Sequence, residues 1–184
     1  MDEPDLRWLL DRRQIHDLVL RYCRAIDRMD MEAVRACYEP GGVDHHTGFS
    51  GDRDEYVAWV GEAIGRFDGT MHVVANHLAE IDGDEARAES YGLAYHWGTP
   101  AEEPRLNFVS AFRYVDRLRR HGEGWLIRER WALREWTRAL GAGDWIPKEG
   151  EGPGGQRGPG DQIYLVGAPR GGSRPRLDTP PKFV

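Results

Sequence analysis

Lysine is almost absent: of 25 basic residues only Lys148 and Lys182 are lysines, and 31 acidic residues leave a net charge of −6. Without a basic stripe the chain offers no electrostatic footprint for phosphate backbones, and nucleic acid is not an expected partner. Cysteine is equally scarce. Cys23 and Cys37 fall in helical stretches with no CxxC and no further ligands at metal spacing, so neither a disulfide framework nor a zinc site is indicated, and both read as buried free thiols. No apolar run approaches the roughly 20 residues that cross a bilayer, so no membrane association is expected. The start, Met1-Asp-Glu-Pro-Asp, is acidic and leads into a charged amphipathic segment rather than a secretory signal, which sets a cytoplasmic location as the expectation. What remains is a chain of 184 residues, 40% hydrophobic and 10% aromatic, enough for one globular domain with length to spare.

Apolar residues Ile15, Leu18, Val19, Tyr22, Ile26 and Met29 recur at three- and four-residue steps and predict a long amphipathic helix over residues 6–28. Asp30 is placed to cap a second, short helix over 31–38, stopped by Pro40-Gly41-Gly42. A His- and Gly-rich connection, 43–51, precedes a third helix over 52–67. The period then changes to that of strands, over 70–81, 86–97, 106–118 and 125–136. Asp82-Gly83-Asp84 joins the first pair as a hairpin and His121-Gly122-Glu123-Gly124 joins the last. Helices first and an antiparallel sheet afterwards is an α+β arrangement, with helices covering one face of a curved sheet. The expected domain spans 1–146; residues 147–184, rich in Gly and Pro, read as a C-terminal arm with one short strand at 161–166, docked over a pocket mouth or on a neighbouring subunit.

Three residues stand out chemically: Tyr22 and Asp27 near the end of the first helix, and His72 near the start of the first long strand. A carboxylate in the last turn of a helix opposes the macrodipole at a cost of about 0.3–1 kcal/mol, so it needs solvent or a cationic partner. If that partner is an imidazole, the carboxylate fixes its tautomer and leaves the second nitrogen as a general base. A tyrosine hydroxyl beside them would donate to a carbonyl or a leaving oxygen. On the residues alone each has a plainer alternative. Tyr22 lies on the buried stripe as a core tyrosine would, Asp27 reads equally as an exposed helix-end carboxylate, and His72 alternates in phase with Val74, Asn76 and Leu78 as a core histidine would. Tyr22 and Asp27 lie about 140° apart on an ideal helix, and share a cavity only if it is wide or the helix ends there.

The run from Ile15 through Tyr22 and Asp27 to Asp30, the segment from Asp44 to Gly51, the strand Met71-His72-Val-Val-Ala-Asn76-His77, and Arg113-Tyr114-Val-Asp-Arg117 with Gly124-Trp125 resemble the SnoaL-like branch of the nuclear transport factor 2-like superfamily, over about residues 5–136. The resemblance implies a cone-shaped barrel: a curved antiparallel sheet covered by three N-terminal helices around a deep apolar pocket. The superfamily includes a hexachlorocyclohexane dehydrochlorinase, scytalone dehydratase and bile acid 7α-dehydratase, lyases that use a His and Asp pair; the last also has a Tyr five residues before that Asp. Carried over, these make His72 the general base, Asp27 its orienter and Tyr22 a donor to substrate. The same fold also hosts isomerases, cyclases, hydrolases and non-catalytic binders.

Substrate-binding candidates are Asn76, on the same nominal strand face as His72 if no bulge intervenes; Arg113, with a sheet-surface ion pair as its alternative; and Asn107, as an inward polar group. Trp59 and Tyr95 join Trp97, Trp125, Trp131, Trp136, Tyr91, Phe108, Phe112 and Tyr114 on the elements expected to wall the pocket, which suits a small hydrophobic aromatic or polycyclic substrate. His45 and His46 beside Asp44 match no tight metal-ligand spacing and read as exposed loop histidines. The expected function is a cofactor-independent lyase, with no metal, that forms a C=C bond by dehydration, dehydrohalogenation or release of formaldehyde. An isomerase or cyclase of a polyketide or steroid-like ring is the alternative, and a non-catalytic binding or dimerisation module a third. The resemblance implies a homodimer or homotrimer.

Overall fold

The computed structural model describes residues 3–141 and 155–162. In chain order the elements are α1 (Glu3–Arg28), α2 (Met31–Arg35), β1 (Tyr38–His46), β2 (Phe49–Asp52), α3 (Arg53–Gly65), β3 (Gly69–Asp82), β4 (Glu85–Trp97), β5 (Phe108–His121) and β6 (Gly124–Ala139). One mixed sheet runs β2-β1-β6-β5-β4-β3, antiparallel throughout except where β1 lies parallel to β6. This is an α+β fold.

The helices form where the sequence signals them. α1 buries Ile15, Leu18, Val19, Tyr22, Cys23 and Ile26, the stripe set by its periodicity. It ends at Met29, whose φ of 57° breaks the helical repeat. Asp30 then caps α2 by accepting from the Ala33 backbone N–H at 3.0 Å. α3 opens on a capping box: the Asp52 carboxylate accepts from the Asp54 and Glu55 N–H groups, and Glu55 accepts from the Asp52 N–H.

Two expectations are corrected. α2 stops at Arg35, and the stretch 43–51 is no loop but most of a hairpin formed by β1 and β2. Hence α3 follows the first two strands, and the helices do not all precede the sheet. The local pattern misleads because Pro40-Gly41-Gly42 sits inside β1 as an irregularity. Gly41 takes a positive φ of 74°, and the pairing of β1 with β6 slips register between Tyr38 and Val43. Backbone also passes close at Gly42, where a Cβ would lie 3.0 Å from the Ile127 carbonyl oxygen. The second partner of β1, β6, is more than eighty residues away, out of reach of any local signal.

Arginine–carboxylate pairs brace the interior. Arg130 and Asp116, opposite each other on β6 and β5, are both 0% exposed and joined by two hydrogen bonds of 2.7 Å. The Arg130 guanidinium is sandwiched between the rings of Tyr22 and Tyr114, at 4.2 and 4.1 Å from their centroids. Asp11 of α1 accepts from Arg120 at 2.7 and 2.9 Å and from the Trp125 indole at 3.0 Å, fastening the helix to the β5–β6 hairpin.

Of the C-terminal arm, residues 155–162 rest on their own chain, at the C-terminal ends of α1 and α3. Gly158 N–H donates to the Arg28 carbonyl at 2.7 Å, Arg157 donates to the Ile64 and Phe67 carbonyls, and Arg28 pairs with Asp161 at 3.1 Å. These contacts answer carbonyls that helix ends leave open. The boundary expected at 146 and all but the first two residues of the strand expected at 161–166 lie outside the described residues.

Removing one partner of a buried bidentate pair leaves the other charge uncompensated. Asp116→Asn is therefore expected to lower the free energy of unfolding by about 3–5 kcal/mol, read as a shifted urea midpoint at unchanged m-value.

Candidate active site

A cavity of about 270 Å³ opens between α1, α3 and the inner face of the sheet. Aromatic rings on its walls include Tyr56 and Trp59 from α3, Phe108, Phe112 and Tyr114 from β5, and Tyr22 from α1. The imidazoles of His46, His72 and His96 project among them, with Arg66 and Arg134 also on the lining.

Asp27, in the last turn of α1, meets β3 through three donors. Thr70 donates its hydroxyl at 2.9 Å, the His72 backbone N–H donates at 2.9 Å, and His72 Nδ1 donates at 2.7 Å. The carboxylate that would oppose the helix dipole is thus answered, and its bond to Nδ1 turns His72 Nε2 into the available nitrogen. Nε2 has no hydrogen-bond partner among the described residues, and the ring lines the cavity between Phe112, at 5.8 Å, and His96, at 6.2 Å. Tyr22 reaches the same cavity from one turn earlier in α1, its hydroxyl in a short hydrogen bond with that of Tyr56. Burial pushes the phenols of Tyr22, Tyr38, Tyr56 and Tyr114 far above their ordinary pKa, which keeps them neutral donors.

The remaining sequence candidates divide. Trp59 lines the cavity, stacked on Phe49 at 5.0 Å. Arg113 does not. It lies on the outer face of the sheet, held by Glu89 and Glu135 at 2.6 Å each. Tyr95 is exposed on that outer face, since its strand neighbours Ala94 and His96 are the ones that line the cavity. Asn76 is exposed because β3 shifts register between Val74 and His77. The slip reverses the alternation, so His77 turns inward, bonded to Ser90 at 2.8 Å and packed on His16. Asn107 is fully buried away from the cavity, where its amide bonds Gly98, Pro100 and Glu103 and folds the β4–β5 connection.

Two histidines escaped the sequence reading. His46 belongs to β1, not to an exposed loop: its Nδ1 makes a short bond to Asp44, a carboxylate that is 0% exposed and also accepts from the Tyr38 hydroxyl at 2.6 Å. The available signal was the Asp44–His46 spacing, which puts both side chains on one face once the segment is a strand. His45 points the other way, to Ser50 and Glu129. His96 stacks on Phe108 at 4.3 Å, and burial, reinforced by nearby His72, pulls its pKa down to about 4. Cys23 and Cys37 are buried free thiols, pushed up to about 12 and about 11 by burial.

For His96 the folded pKa lies below the unfolded one, so the unfolded chain binds the extra proton between about pH 6.5 and 4 and stability falls as pH drops through that window. The share from His96 is on the order of 3 kcal/mol at the acid end. His96→Phe is expected to flatten that limb when thermal unfolding is followed at stepped pH.

None of the curated proteins matches the sequence. Solved structures do. A candidate scytalone dehydratase from Novosphingobium aromaticivorans superposes with a TM-score of 0.65 at 23% identity, covering 77% of this chain and 92% of that one. The hexachlorocyclohexane dehydrochlorinase LinA-type3 from Novosphingobium barchaimii gives 0.67 at 15% identity, covering 78% and 99%. A variant of Rv3472, a protein of unknown function from Mycobacterium tuberculosis, gives 0.62 at 23% identity, covering 73% and 77%. At these identities the likeness establishes the fold alone. The sequence also matches the SnoaL-like domain across residues 7–131, more than half its length, and the chain belongs to that family.

Proposed function

We propose that this protein is a cofactor-independent lyase that removes a proton from a small aromatic or polycyclic molecule and expels a group from the neighbouring carbon, leaving a C=C bond. The observation that carries the reading is the Asp27–His72 contact of 2.7 Å, with Nε2 on a cavity wall and without a hydrogen-bond partner among the described residues. Asp27 orients the ring and stabilises the imidazolium formed when Nε2 takes the proton. The linked hydroxyls of Tyr22 and Tyr56 supply a neutral donor for negative charge developing on a carbonyl or phenolate oxygen. Rings of Trp59, Phe108 and Phe112 offer a flat substrate stacking surface and exclude water from the base. The fold neighbours include proteins named for dehydration and for loss of HCl, which supports an elimination.

We also propose self-association through the outer face of the sheet, which exposes Met71, Val73, Tyr91, Tyr95, Leu133 and Trp136.

A panel of aromatic β-hydroxy and β-halo ketones, followed by the ultraviolet absorbance of the extended conjugation and by product mass, tests the reaction. His72→Ala and Asp27→Asn are each expected to lower turnover at least about 100-fold with unchanged circular dichroism. A fully active His72→Ala protein would remove the reading. Product of unchanged mass would assign the same base to an isomerase or cyclase.

A further inference from the structure

The cavity holds a second imidazole–carboxylate pair that the proton abstraction just described does not use. We infer that His46, held by Asp44, is the acid of this site: it protonates the departing oxygen while His72 takes the proton from carbon. The inference rests on the lyase reading and adds to it the class of leaving group, an oxygen that must be protonated to depart.

The placement comes from the sheet. His72 stands on β3, an edge strand, and His46 on β1; β6, β5 and β4 lie between them in the strand order, yet both rings line one cavity. A molecule filling that cavity has both imidazoles on its lining, one from each of two strands near opposite edges of the sheet. Elimination of a hydroxyl needs a base at one carbon and an acid at the oxygen on the next, and a single residue serving both must wait for the first proton before giving it up.

The local chemistry suits an acid. The Asp44 carboxylate is 0% exposed, and its donors are the Tyr38 hydroxyl and His46 Nδ1. Arg130, the register partner of Asp44 on β6, gives two of its guanidinium nitrogens to Asp116 and makes no hydrogen bond to Asp44 among the described residues. The bond to so deep a carboxylate fixes His46 Nδ1 toward Asp44 and leaves Nε2 as the nitrogen on the cavity side. The ring is fixed by stacking on Tyr56, with centroids 5.1 Å apart and planes inclined at 21°, and by Trp59 at 5.9 Å. His46 Nε2 has no hydrogen-bond partner among the described residues, whereas both nitrogens of His45 are engaged. His96, the third imidazole of the cavity, is held neutral by burial and has no proton of this kind to give.

The step balances without any added reagent. Neutral His72 takes the proton from Cα through Nε2; the C–H electrons become the Cα=Cβ bond, the Cβ–O bond breaks, and the oxygen leaves with the Nε2 proton of His46 as water. His72 ends as imidazolium and His46 as neutral imidazole. Exchange with solvent resets both.

Matched probes test the assignment: β-hydroxypropiophenone and β-chloropropiophenone give the same phenyl vinyl ketone, but only hydroxide needs a proton to leave. In His46→Gln, and in Asp44→Asn as a second variant, the ratio of water elimination to chloride elimination is expected to fall at least about 100-fold. A purely structural role lowers both rates together and leaves the ratio unchanged, which would overturn the assignment. The wild-type protein offers a check independent of how either variant folds: if it expels chloride but not hydroxide, the cavity holds no acid, and the inference fails while the lyase reading stands. If it expels neither, both fail.

Discussion

A carboxylate at the C-terminal end of a helix sits where the backbone already concentrates negative charge, and it persists only if donors meet it. Asp27 is met by three, all from the first residues of β3. One consequence is mechanical, since α1 is tied to the edge strand of the sheet at the point where the helix ends. The other is chemical: the bond to His72 Nδ1 selects the tautomer and points Nε2 at the cavity. Substitution of a longer acid would displace that ring, because the backbone N–H and the imidazole of the same residue must both reach one carboxylate.

The rest of the interior repeats the principle with different partners. Asp116 is answered by Arg130, Asp11 by Arg120 and Trp125, and Asp44 by Tyr38 and His46. Arg130 also lies between the rings of Tyr22 and Tyr114, so the charge that balances Asp116 positions two aromatic walls of the cavity. Each buried carboxylate thus does more than satisfy itself. The phenols around Arg130 stay neutral because burial penalises phenolate, and they can therefore donate without becoming charges that the cavity would have to accommodate.

Much of this was legible in the chain. The stripe of α1, the cap at Asp30 and the two hairpin turns of the long strands follow from periodicity and turn chemistry, while the pairing of Asp27 with His72 was implied by the family resemblance. Less legible were positions decided by pairing between distant strands. Asn76 and His77 exchange faces because β3 slips register, and a slip of one residue reverses every side chain beyond it. Arg113 and Tyr95 carry the right residue types on the wrong face of the sheet. His46 looked exposed because its neighbours Pro, Gly and His suggest a loop; pairing of β1 with β2 on one side and with β6 on the other makes this segment a strand with Asp44 and His46 facing inward.

By itself, then, the sequence determined which segments are helices or long strands and that the fold is α+β, because those outcomes depend on contacts a few residues apart; the pairing of Asp27 with His72 was an expectation that came with the family resemblance. Tertiary structure alone decided the alignment of β1 with β6, the inward or outward face of each polar side chain on the sheet, and the gathering of three histidines around one cavity. Face and register are properties of paired strands, and the partners of β1 and β3 are set by packing across the whole domain.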